Sequence, residues 1–101
     1  MSIYRMDDGT TVNTDRAPQS YLEGTRWDGN NHISLATGSQ WEHETLHCSR
    51  KGRYYTERTS QRQGIIPHAE WISHRAAAVW LRTNEYDLPA DLAHLLDEIE
   101  E

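Results

Sequence analysis

Residues 41–60 read WEHETLHCSRKGRYYTERTS. Two strand-like runs flank Lys51-Gly52, a dipeptide suited to a tight turn, and that pattern predicts a β-hairpin. A two-residue turn there sets Cys48 opposite Tyr55 and Leu46 opposite Glu57 on one face. The other face then pairs Ser49 with Tyr54, His47 with Thr56 and Thr45 with Arg58. Leu46, Cys48 and Tyr55 make the better core face, leaving the polar face for solvent or a partner. Adjacent Tyr54 and Tyr55 must point opposite ways.

Upstream, residues 3–6 and 11–14 flank Asp8-Gly9, which predicts a second hairpin. Residues 15–24 are polar, contain Pro18 and read as loop. Asp28-Gly29-Asn30-Asn31 is a dense turn signal between Trp27 and a strand-like run at 32–35. Downstream of Gly64 and Pro67 the period changes. Ser73 can cap a helix over 73–84, with Ile72 and Ala77 as a hydrophobic staple, Ala76, Ala77, Trp80 and Leu81 at helical spacing, and Asn84 at its end. A second helix is expected over 88–100, with Pro89 in its first turn and Leu88, Leu92, Leu95, Leu96 and Ile99 in one stripe. Its acidic end opposes the helix dipole and should fray. The expected fold is α+β and a single domain: a β-rich region over 1–66, an antiparallel sheet of about four to five short strands with two hairpins, then two carboxyl-terminal helices.

The 101 residues are 36% hydrophobic and 26% charged, with four Trp, five Tyr and no Phe. That leaves room for one core built largely of polar-tipped rings. The formal charge is −6, but it is unevenly spread. Between residues 50 and 62, Arg50, Lys51, Arg53, Arg58 and Arg62 face Glu57 alone, so that stretch is +4 and the remainder −10. Residues 85–101 hold seven carboxylates and no Lys or Arg. An acidic surface disfavours general binding to nucleic acid or anionic membranes, whereas polarised charge suits a charged protein partner. Cys48 is the single cysteine, which precludes an intrachain disulfide, and the amino terminus lacks the apolar run of a signal peptide. A cytoplasmic setting is expected.

His43 and His47 lie near Glu42, Glu44 and Cys48, all types that ligate divalent metal. On a strand, residues four apart are separated by ~13 Å, too far to share one ion. Cys48 could act as a nucleophile with a histidine, but an inward position makes it ordinary packing. None of the G-x-S-x-G, P-loop, H-E-x-x-H or dinucleotide glycine patterns is present. The sequence therefore implies no enzyme, no metal and no cofactor. Arg50, Lys51, Arg53, Tyr54 and Arg58 combine guanidinium groups with rings and are the expected partner-binding set, with Trp71 as a further anchor. The same hairpin is the alternative nucleic-acid contact, and a metal- or thiol-dependent enzyme is a third possibility.

The stretch from Glu44 to Tyr55, ETLHCSRKGRYY, followed by Glu70-Trp71-Ile72-Ser73 and Ala76-Ala77-Ala78-Val79-Trp80-Leu81, resembles a pattern in small bacterial proteins of phages and other mobile elements. Such proteins more often carry Tyr-Arg where this chain has His47-Cys48. The resemblance implies a mobile-element accessory protein and transfers no catalytic residue. The expected function is a non-enzymatic protein-binding module, an inhibitor of a host defence or nucleic-acid enzyme. A homodimer through the hairpin or the Leu stripe is also open.

Overall fold

The computed structural model describes residues 2–100. In chain order the strands are β1 (Ile3–Arg5), β2 (Thr11–Asn13), β3 (Gln19–Leu22), β4 (Thr25–Trp27), β5 (His32–Ser34), β6 (Glu42–Cys48), β7 (Tyr54–Ser60) and β8 (His68–Ile72). Helices α1 (His74–Thr83) and α2 (Leu96–Ile99) follow, with 3-10 turns at Thr14–Arg16 and Ala93–Leu95. The fold is α+β: a four-stranded antiparallel sheet ordered β3-β6-β7-β8, two small hairpins, β1-β2 and β4-β5, and helices at the carboxyl end. The short strands are thus more numerous than the pattern suggested. β3 lies within the stretch read as loop, and β8, which carries Trp71, lies beyond residue 66. Neither shows strong alternation because both are short sheet edges, held by backbone bonding to β6 and β7. No helix among the described residues is long and apolar enough to cross a membrane.

The central hairpin forms one residue out of the expected register. Cys48 pairs with Tyr54, His47 with Tyr55, Leu46 with Thr56 and Thr45 with Glu57. The cause is the turn. Ser49 N–H donates to Arg53 O at 2.7 Å and Gly52 N–H to Ser49 O at 3.0 Å, enclosing Arg50, Lys51 and Gly52 in a three-residue loop. Gly52 takes φ +82°, the left-handed position that closes such a loop with a bulge.

That shift exchanges the tyrosines. Tyr54, not Tyr55, joins Leu46 in the main core, where Ala77, Ala78, Trp80 and Leu81 of α1 pack with Leu92 and Leu95. Tyr55 lies on the opposite face, which is covered: Met6 and Val12 of the first hairpin close over it, with Tyr4, Ala69 and Trp71 alongside. The sheet therefore has two apolar faces, the second roofed by only six strand residues of β1 and β2 and their turn.

Helix α1 follows its sequence signals. Ser73 Oγ accepts from Ala76 N–H at 3.0 Å, and the core face is Ala77, Ala78, Trp80 and Leu81. At its end Tyr86 N–H reaches Leu81 O at 2.8 Å and Glu85 N–H reaches Arg82 O at 3.1 Å, a Schellman closure. Buried Asn84 then accepts from Gly24 N–H at 2.9 Å and donates to Trp80 O at 2.8 Å, tying the helix end to the start of β4. The helix expected over 88–100 is replaced by a 3-10 turn and the single turn of α2. Tertiary anchors decide this. Tyr86 O–H donates to Leu22 O at 2.7 Å and Tyr54 O–H donates to Asp91 at 3.0 Å, so the segment winds to seat Leu92 and Leu95 instead of running as one regular stripe.

The Schellman position is occupied by Glu85 at φ +68°, the one non-glycine residue with positive φ among those described. A left-handed non-glycine residue costs ~1 kcal/mol. Glu85→Gly is expected to raise stability by about that amount, read as a higher urea midpoint at unchanged m-value, whereas Leu46→Ala, at a fully buried site, should lower stability by ~2–5 kcal/mol.

Candidate basic pocket

The two principal hairpins turn in the same way. Met6 N–H donates to Thr10 O at 2.7 Å and Gly9 N–H to Met6 O at 3.0 Å, matching the Ser49–Arg53 turn bond for bond. Their tips differ in charge: Asp7-Asp8 in one, Arg50-Lys51 in the other. Arg53 Nη1 donates to Asp8 Oδ2 at 3.2 Å and its Cζ lies 3.8 Å over the Trp71 ring centroid, while Trp71 Nε1–H points to Asp8 Oδ1 and Thr10 Oγ1, each at 3.3 Å. Asp8 is held well below the usual carboxylate range, chiefly by hydrogen bonds from the Thr10 hydroxyl and backbone, then by Arg53 and Trp71. From the other side His74 Nε2 meets Gly52 O at 2.9 Å and stacks edge-on with Tyr54, so the basic turn is braced by both the helix and the first hairpin.

Between the turns lies an open pocket of about 620 Å³. Arg16, Arg50, Lys51 and Arg53 line it, and no carboxylate among the described residues does. Its floor includes Val12, Tyr55 and Trp71, and Thr10, Thr11 and Ser49 add hydroxyls. Asp8 compensates Arg53. None of the described residues forms an ion pair with Arg16, Arg50 or Lys51. This is a concave, cationic site with an apolar base, suited to an anion.

Of the residues singled out from sequence, Arg50, Lys51, Arg53 and Trp71 come together here. Tyr54 and Arg58 do not. Tyr54 is buried under α1, with its hydroxyl on Asp91 and its pKa driven far up by that burial and then by the hydrogen bond. Arg58 sits on the helix side, where Nη2 and Nε bond Glu44 Oε2 at 2.8 and 3.1 Å, and Trp80 Nε1–H takes the other Glu44 oxygen at 2.9 Å. The one-residue register shift put both on the far face. Arg16 is the charged lining residue that sequence reasoning missed. Arg16 ends a 3-10 turn started by the Asn13 side chain, a weak local signal, and its approach to residue 50 is purely tertiary.

The same sheet face carries a row of polar side chains. Tyr4 O–H donates to Glu57 Oε2 at 2.6 Å, and Glu57 Oε1 lies 3.0 Å from His47 Nε2. The carboxylate assigns the proton to Nε2, so Nδ1 accepts from the Ser20 hydroxyl at 2.7 Å. A Ser–His–Glu order invites comparison with nucleophilic sites. Here Ser20, His47 and Glu57 stand on β3, β6 and β7, outside the lining of the pocket, and act as a cross-strand clamp that also fastens β1. His43 is held separately, with Nδ1 2.6 Å from Glu23 Oε2, so the two histidines serve different carboxylates. Cys48 lies against the main core and burial pushes its thiol pKa up, the opposite of nucleophile activation.

Comparison with protein-family models, with curated proteins and with solved structures finds no match to this chain.

Two pH dependences follow. Burial first, then the hydrogen bond to Glu57, raises Tyr4 to about 12, and burial followed by the Glu57 charge raises Tyr55 to about 12. A raised pKa favours the protonated folded form, so this stability is complete below the ordinary tyrosine value of ~10 and is lost as pH climbs through about 12. Spectroscopic titration should find these tyrosinates appearing together with unfolding. Asp8 has the opposite sign: its contribution is present above the ordinary carboxylate pKa of ~4 and disappears as pH falls towards its depressed folded value. The Trp71 indole N–H resonance should report release of the first hairpin at strongly acid pH, and in Asp8→Asn, which has no carboxylate there to titrate, that acid step should be absent and the contact already weakened at neutral pH.

Proposed function

We propose that the chain is a small non-enzymatic binding module that captures a protein partner through the Arg16, Arg50, Lys51 and Arg53 pocket, acting on that partner as an inhibitor or adaptor. One observation carries the reading: three cations with no ion pair among the described residues line one concave site. The Ser49–Arg53 turn is already held by Asp8 and His74, so binding an anionic segment has only the side chains of Arg16, Arg50 and Lys51 to order. The likeness of the 44–55 stretch to phage and mobile-element proteins supports a host enzyme as that partner.

Nucleic acid is a poorer fit. Arg53 already covers one face of Trp71, and Tyr55 is stacked on His47 at 5.0 Å and abuts Trp71 edge-on at 5.4 Å. The rings are therefore occupied where a base would stack, and the acidic remainder repels a phosphate backbone.

Tagged protein incubated with nuclease-treated lysate should retain a stoichiometric protein at moderate salt, and Arg50→Glu/Lys51→Glu should release it without altering the thermal midpoint. Capture that depends on nuclease-sensitive material would transfer the site to nucleic acid, and capture unaffected by the charge reversal would exclude the pocket.

A further inference from the structure

We infer that the pocket is a phosphomonoester site, built to seat a phosphorylated aromatic side chain of the protein partner; this rests on the proposed role of the same pocket in partner capture. Charge density is the first ground. A carboxylate brings one negative charge and two oxygens, whereas a phosphomonoester brings about −1.5 to −2 and three acceptor oxygens at a single centre. Arg16, Arg50 and Lys51 approach that centre from two chain segments, the 3-10 turn at Thr14–Arg16 and the Ser49–Arg53 turn. Matching all three with carboxylates would crowd several acidic side chains into about 620 Å³, a volume on the scale of a compact ligand.

Preorganisation is the second ground. Arg53 is fixed by Asp8 and by Trp71 before any ligand arrives, which holds the Ser49–Arg53 turn that presents Arg50 and Lys51, and Arg16 and Arg50 have guanidinium groups able to bond phosphate in pairs. The third is the floor. Val12 and Tyr55 are almost fully buried and present only a small apolar base beside Trp71. With its phosphate among the cations, a phenyl ring can rest against exposed Ile3 and half-buried Trp71, which also line the pocket. Arg53 covers one face of Trp71 and His47 one face of Tyr55, which reduces the ring surface open to a purine.

The test titrates the full isotope-labelled chain with short neutral peptides carrying phosphotyrosine, tyrosine or glutamate at one position, and separately with adenosine 5′-phosphate, following the Trp71 indole and arginine side-chain resonances. The phosphotyrosine peptide should bind at least ~10-fold more tightly than either peptide counterpart and than the nucleotide, from the added charge-assisted bonds. Arg50→Gln, on an exposed turn position, should weaken it ~10-fold with the thermal midpoint unchanged. Equal affinity for the phosphotyrosine and glutamate peptides, tighter binding of the nucleotide, or shifts confined to residues away from the pocket would each overturn the inference. If Arg50→Glu/Lys51→Glu nevertheless abolishes partner capture, the phosphate assignment fails and the proposed function stands. Undiminished capture by that variant removes both.

Discussion

The opposite orientation of Tyr54 and Tyr55 on β7 is the constraint on which the molecule turns. Side chains alternate along a strand, so one dipeptide anchors two cores: Tyr54 with Leu46 under α1, Tyr55 with Met6 and Val12 under the first hairpin. Which tyrosine goes where is set by the Ser49–Arg53 loop, whose left-handed Gly52 fixes the ladder register. A shift of one residue would exchange the two rings, sending Tyr55 to the helix and Tyr54 under the first hairpin. The basic turn is thus at once the device that sets the register and the wall of the pocket.

Covering both faces of so short a sheet puts polar side chains inside, and several of them are tethers, while His43 Nε2 is buried without a hydrogen-bond partner among the described residues. The Ser20, His47, Glu57 and Tyr4 row crosses three strands and reaches β1, while Glu44 joins Arg58 and Trp80 on the other side. Such buried, mutually bonded groups specify one arrangement more than they add net stability. Their effect on the pocket is indirect. By fixing β1-β2 against β6-β7, they hold the Asp7-Asp8 and Arg50-Lys51 tips at a distance where Asp8 takes Arg53, while Arg16, Arg50 and Lys51 have no ion pair among the described residues.

The fold class, the first and central hairpins and helix α1 were legible because they rest on local signals: Asp8-Gly9, Lys51-Gly52, Ser73 and the spacing of Ala77, Trp80 and Leu81. The register was not, since Lys51-Gly52 is compatible with a two-residue or a three-residue loop and only packing against Met6 and Val12 on one side and α1 on the other separates them. The same ambiguity explains the site. Arg50, Lys51, Arg53 and Trp71 were recognisable as a charged aromatic group, but Tyr54 and Arg58 were placed with them by the wrong pairing. Arg16 was invisible, because its distance from residue 50 is set by the docking of one hairpin on another. The long carboxyl-terminal helix was expected from its leucine spacing, and long-range hydrogen bonds from Tyr86 and to Asp91 overrode that pattern.

The central claim, that partner capture occurs at the pocket between the two turns, is tested most directly by site-specific photocrosslinking. A photoreactive side chain placed at Lys51 should yield a single cross-linked protein species, whereas the same group at exposed Val79 on α1, on the far side of the sheet, should yield none. Cross-linking from position 79 and silence from position 51 would contradict the account and place the working surface on the helix.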